Sequence, residues 1–244
     1  MASTPPFPEL LSLIESRSAA LREAATDLTA GVPGCPGWSV HDLVTHMSRV
    51  QRFWAAAVRA GDADGPPPVP VLPAGDPLPL SEEATRLLTD ALRAAGPDAP
   101  CWSWWPPSAA PHTTRAIARH QVQEAAVHAF DAQEALGKPE PLPAAVAVDG
   151  VGEFLEVPMG SRGAWPHRPA RVEFQAIEGP SWTLDLSPSG ATVSPAASGA
   201  PVTRVHGRAS DLVLALYRRI PLADVRVDGD REVAEQIREW CVVD

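Results

Sequence analysis

Apolar positions fall into two regimes along this chain. Through the first half they recur every three or four residues, the period of a helix that buries one face. Leu10, Ile14, Leu21 and Leu28 keep that spacing and predict a first helix over residues 8–28. The turn-rich segment GVPGCPGWS follows, and Ser39 with Asp42 three residues on makes a capping-box variant that opens a second helix. Leu43, His46, Met47, Val50 and Trp54 line one face of that helix. Residues 61–80 are dense in proline and glycine and read as loop. Ser81 is expected to cap a third helix, with Leu88, Ala91, Leu92 and Ala95 inward and a stop at Gly96-Pro97. A tryptophan-rich loop, CWSWWPPSAAP, leads to a fourth helix that starts at Thr113 or Thr114 and ends at Gly137. A shorter helix is expected over residues 143–156.

After about Gly160 the period changes to two. Residues 171–177 and 181–186 alternate apolar and polar around turn residues and predict a hairpin. Further short strands are expected at 191–194, 202–206 and 225–227, with helices over 211–219 and 231–240. The expected fold class is therefore α followed by α+β: a helical bundle over residues 1–160, then a small α+β domain over 168–244. No internal repeat is visible.

With 244 residues the chain can bury a sizeable core. Its formal net charge of −10, without a basic patch, argues against nucleic acid or an anionic membrane surface as a partner. There is no apolar run of membrane-spanning length, and the start MASTPPFPEL is polar and proline-rich rather than a signal peptide. A cytoplasmic protein, monomeric or weakly dimeric, is expected. Cys35, Cys101 and Cys241 are odd in number and lack CxxC spacing, so neither a disulfide framework nor a cysteine zinc site is indicated. A phosphate-binding glycine loop, a GxSxG elbow and paired catalytic carboxylates are missing.

Glu124 and His128 carry the candidate chemistry. Four residues apart in a helix, they share one face. His46 lies on the apolar stripe of the second helix. A carboxylate and two imidazoles brought together in this way make a three-ligand metal site with a coordination position left open. The competing reading is structural. His120, Glu124, His128 and Asp131 form a polar stripe that periodicity alone would place in solvent, and a lone His46 on an apolar face is commonly a satisfied core residue. His120 fits a pocket residue better than a fourth ligand, and His41 is expected to point to solvent. Cys35 precedes a helix start, where the dipole would favour a thiolate, but it also suits a small residue in a tight turn. With no base beside it in the sequence, it is not assigned as a nucleophile. Trp102, Trp104 and Trp105 either wall a pocket or anchor their loop.

The stretch CPGWSVHDLVTHMSRVQRFWAAAV resembles the second helix of the mycothiol-dependent maleylpyruvate isomerase family. QEAAVHAFDAQEALG is similar to that family's later motif, in which Glu and His flank three residues and Asp follows. CWSWWPP fits just before it, and GRASDLVLALYRRIPLADVRVDGD resembles the family's C-terminal module, itself similar to a sterol-carrier protein. The likeness runs through nearly the whole chain in the family's order. It implies a DinB-like four-helix bundle with a divalent metal, typically zinc, on His46, Glu124 and His128. It also implies an outer-layer role for Asp131 and a catalytic arginine in the C-terminal module, best matched by Arg219, with Arg218 and Arg208 as rivals. Departures lie beside the site: Gln123 stands where the family usually has His, and Ala129-Phe130 where it often has Arg-Trp.

The implied function is that of a mycothiol-dependent metalloenzyme, an isomerase or thiol transferase. In it a zinc-bound thiolate attacks a small electrophile, an arginine such as Arg219 holds a substrate carboxylate, and the pocket lies where bundle and module meet. The alternatives are a metal-stabilised ligand-binding protein without turnover and a metal-assisted hydrolase.

Overall fold

A computed structural model describes residues 4–194 and 203–243. Its elements divide into two compact units. The first unit, Pro5–Trp104 with Pro111–Glu140, holds helices α1 (Phe7–Ala24), α2 (Val40–Ala60), α3 (Pro77–Ala95) and α4 (Thr114–Ala135). These pack as a four-helix bundle: α1 lies against α3 and α4, and α2 lies against the same two.

Local chemistry sets the helix ends. Ser39 accepts from the Asp42 amide while Asp42 accepts from Ser39, so the capping box at α2 is complete. Thr113 caps α4 through the Ala116 amide, and Gly137 follows its end at φ +73°. Two expected boundaries move. The first helix stops at Ala24 because Asp27 accepts from the amide and hydroxyl of Thr29, at 2.9 and 2.7 Å, and turns the chain before Leu28. Ser81 does not cap the third helix. Asp76 does, by accepting from the Leu78 amide at 3.0 Å, and Ser81 lies buried one turn inside. Pro77 and Pro79 are tolerated there because first-turn amides have no helical acceptor.

Apolar side chains fill the bundle end nearest the α1–α2 connection: Leu21, Val32, Val40, Leu43, Val44 and Met47, closed by Ala125, Ala129 and Ala132 of α4. Further along, the fully buried Gln51 of α2 donates to Ser18 at 2.8 Å and accepts from Thr85 at 2.8 Å, tying three helices together. The alanines of α4 let α1 approach closely, while most of that helix is buried, polar residues included.

The second unit contains the chain from Pro141 on, together with Trp105–Ala110 and the first few residues. Helix α5 (Ala144–Phe154) runs into a π-helical turn, Leu155–Met159, that contains Pro158. A five-stranded sheet follows in the order β3-β2-β1-β4-β5: β1 (Ala170–Ala176), β2 (Ser181–Ser187), β3 (Gly190–Ser194), β4 (Thr203–Gly207) and β5 (Arg226–Gly229). β1 and β2 form the expected antiparallel hairpin, with Val172 opposite Leu184 and Phe174 opposite Trp182, and β4 runs parallel to β1. Helices α6 (Ala209–Leu216) and α7 (Arg231–Trp240) cover one sheet face, burying Phe174, Val205, Leu212 and Ile237. Val202, expected to open a strand, lies outside the described residues, and that strand is seen from Thr203. Among the described residues no helix is long and apolar enough to cross a membrane.

Candidate metal centre

Helices α2 and α4 run past each other in opposite directions, and their facing stripes carry the candidate ligands. His46 meets His128 edge to face with ring centroids 5.2 Å apart, and two turns further along α2 Trp54 meets His120 in the same way at 6.0 Å. Between them on α4 stands Glu124. Its Oε2 lies 3.7 Å from His128 Nε2, and its Oε1 lies 3.8 Å from His120 Nε2. The stripe that periodicity alone would expose is therefore interior. Asp131 is fully buried, His128 and His120 nearly so, and Glu124 retains 18% side-chain exposure. His41, by contrast, is exposed.

One ligand atom from each of His46, Glu124 and His128 can be chosen so that all lie within 4.8 Å of one another. Two imidazoles and a carboxylate are a donor set of catalytic zinc sites. The tautomer suits it. His128 Nδ1 is 2.8 Å from Asp131 Oδ2, and a carboxylate can only accept, so Nδ1 carries the proton and Nε2 turns toward Glu124. Electrostatics points the same way. Burial alone would lower the His128 pKa, but hydrogen bonds to Asp131 and Cys35 and the charges of Asp131 and Glu124 outweigh it, pushing the pKa up to about 10. The space between the two carboxylates thus favours positive charge. A proton on His128 supplies it in the metal-free protein, and a divalent cation on Nε2 would supply it instead. The residues present fit such an ion.

Around this centre sit aromatic rings. Trp38 covers His46 with ring centroids 4.9 Å apart. Trp104 packs on His120 at 5.6 Å and stays 39% exposed, while Trp102 rests on Phe53 and Trp54. Trp102 thus anchors its loop on α2, and Trp104 covers the histidine at the far end of the stripe. Trp105 is fully buried in the second unit.

Cys35 is the residue whose surroundings the sequence concealed. Its Sγ lies 3.6 Å from Asp131 Oδ2, the atom that also receives His128 Nδ1–H. Pro36-Gly37 was the available signal, since that dipeptide closes a tight turn and fixes where the residues on either side point.

Of the candidate arginines in the second unit, Arg208 and Arg218 are exposed, whereas Arg219 is buried. Arg219 is fixed by its own turn: its amide donates to Leu214 O at 2.8 Å and its Nη1 to Tyr217 O at 2.9 Å.

A helical bundle that gathers two histidines and a glutamate on its α2–α4 face, followed by a mixed-sheet module, defines a two-unit α and α+β protein with a candidate metal centre in its bundle. Sequence comparison makes the class specific. Residues 11–133 match the family model of the mycothiol maleylpyruvate isomerase N-terminal domain, and residues 145–236 match that of the MDMPI C-terminal domain. The chain belongs to this family. Its fold is similar to the crystal structure of a mycothiol-dependent maleylpyruvate isomerase, at 17% identity and a TM-score of 0.59, over 93% of this chain and 95% of that one. A histidine-to-alanine variant of such an isomerase is similar over the same shares, at 16% identity and a TM-score of 0.59. No curated protein matches the chain in sequence.

Proposed function

We propose that this protein is a mycothiol-dependent metalloenzyme, an isomerase or thiol transferase that adds a thiolate to a small electrophilic substrate. The observation that carries the reading is the convergence of His46, Glu124 and His128 within 4.8 Å, in a chain matched by both domains of the mycothiol maleylpyruvate isomerase family. His46, Glu124 and His128 would hold a divalent ion, zinc by preference, which would supply the Lewis acidity needed to ionise a thiol at neutral pH.

The chain's own residues prepare that chemistry. Asp131 holds Nδ1–H of His128 and so directs Nε2 toward Glu124, where an ion would replace its proton. Trp38 seals the outer side of His46, and Trp104 with Trp54 gives the stripe an apolar border at His120. Apolar walls of this kind would reduce the hydration of a thiolate formed beside them and so raise its nucleophilicity. Arg219 is assigned to hold a substrate carboxylate through its planar fork. Its burial and its backbone hydrogen bonds support this, because a guanidinium already fixed in place loses little entropy on binding. With a maleyl-type substrate, conjugate addition, rotation about the resulting single bond and elimination would give the isomer and return the thiol. Gln123 and Ala129-Phe130 depart from the family's motif next to Glu124 and His128, so the proposal is for the thiol step and not for maleylpyruvate as the natural substrate.

The test is mycothiol consumption by zinc-loaded protein against a panel of activated alkenes, epoxides and alkyl halides. Turnover that requires both zinc and mycothiol supports the reading. Zinc-dependent hydrolysis without mycothiol, or no reaction across the panel, contradicts it.

A further inference from the structure

The segment Cys35-Pro36-Gly37-Trp38 is a type II turn. Pro36 takes its second position, Gly37 its third at φ +89°, and the Trp38 amide donates to Cys35 O at 3.0 Å. The turn is pinned on both sides, since Val32 N donates to Trp38 O at 2.9 Å and Cys35 N to Val32 O at 3.1 Å. Its two ends reach two different ligands of the candidate metal centre. Trp38 lies on His46, and Cys35 is in contact with Asp131, which holds His128.

Cys35, His128 and Asp131 also qualify by distance as a metal-binding group of their own. The geometry argues against a second ion there. His128 faces Asp131 through Nδ1 and Glu124 through Nε2, so the two groups lie on opposite sides of one imidazole. Nδ1 is committed to the carboxylate at 2.8 Å. What remains for Cys35 is hydrogen bonding: a thiol is a weak donor, and the fully buried carboxylate of Asp131 is a strong acceptor.

We propose that Cys35 is a positioning residue, its thiol donating to Asp131 Oδ2 and so fixing the carboxylate that orients His128 toward the metal. The inference rests on the reading of His46, Glu124 and His128 as metal ligands. Cys35 neither binds the ion nor reacts. Its thiol meets Asp131 and lies beside the His128 ring as well, on a turn held by backbone hydrogen bonds on both sides.

The experiment compares zinc affinity by chelator competition in the full chain and in Cys35→Ser, Cys35→Val and His46→Ala. Melting temperatures of the metal-free forms serve as the packing control. Serine keeps a hydroxyl donor, while valine has similar bulk and no donor. Cys35→Val should bind zinc about tenfold more weakly, and Cys35→Ser should stay within about threefold of wild type. The cobalt form of Cys35→Val should show a shifted ligand-field spectrum that Cys35→Ser does not. Should the valine variant fail to fold, Cys35→Ala, which demands no extra space, takes its place. Wild-type affinity in the donor-less variant overturns the proposal, as does equal weakening in the serine and valine variants, which would make the effect one of packing. Zinc binding in His46→Ala as tight as in wild type, or none in wild type, overturns the metal reading itself and this proposal with it.

Discussion

His46 and His128 meet edge to face across the α2–α4 interface, ring centroids 5.2 Å apart and planes at 78°. That contact joins two separate helical stripes into one set of donors, and Glu124 completes it from the same stripe as His128. His46→Ala and Glu124→Ala are therefore expected to abolish zinc binding while the bundle stays folded, because neither side chain belongs to the apolar cluster that holds the helices. The exposed His41 is the control, and His41→Ala should leave zinc content unchanged. Elemental analysis of the purified variants decides it. Equal metal loss in the His41 and His46 variants would mean that the ligand face lies elsewhere on α2.

Protonation of His128 gives the centre a pH dependence of known sign. Its pKa in the folded, metal-free protein is about 10, raised from 6.5. The group therefore stabilises the metal-free fold fully below about pH 6.5, and that contribution is lost as pH rises through about 10. A metal on Nε2 must displace the proton, so zinc affinity should rise about tenfold per pH unit between about pH 6 and pH 9. Competition titrations across that range would show it. A flat profile would mean that His128 is already neutral.

Asp131 receives His128 Nδ1–H and has no exposure to water. Asp131→Asn keeps an acceptor oxygen but removes the charge. Zinc affinity should fall about tenfold to a hundredfold, measured by the same competition. Unchanged affinity would leave Asp131 a purely structural residue.

Most of the bundle, and the three residues that it brings together at the candidate centre, were legible in the sequence. The capping box at Ser39, the cap at Thr113 and the stop at Gly96 are local chemistry, written in adjacent residues. His46, Glu124 and His128 could be named because their spacing places them on helix faces. What spacing could not decide was which way the α4 stripe faces: His120, Glu124, His128 and Asp131 also read as a solvated row, and packing against α2, Trp104 and the Cys35 turn buries them. The Ser81 boundary was misread because a serine before two glutamates imitates a helix start, while Asp76-Pro77 is the actual one. The Cys35–Asp131 hydrogen bond joins residues far apart in the chain through a turn whose shape, but not whose destination, is local.

Gly37 tests that turn. Its φ of +89° is one that residues with a side chain rarely adopt, and a Cβ there would meet nothing within 4 Å, so the cost of Gly37→Ala is backbone strain alone. A loss of about 1–2 kcal/mol is expected, and it would appear as a lower melting temperature. A variant as stable as wild type would show that this turn tolerates an ordinary backbone.

Thiol binding at the metal is the centre of the functional reading, and cobalt makes it visible. Cobalt-substituted protein titrated with mycothiol should develop the intense thiolate-to-cobalt charge-transfer band, which an activated alkene should then consume. His128→Ala, lacking a ligand, should show no band. In a zinc-loaded crystal the corresponding sulfur should lie about 2.3 Å from the ion. If saturating mycothiol leaves the cobalt spectrum of the wild-type protein unchanged, thiol transfer is not what this centre does.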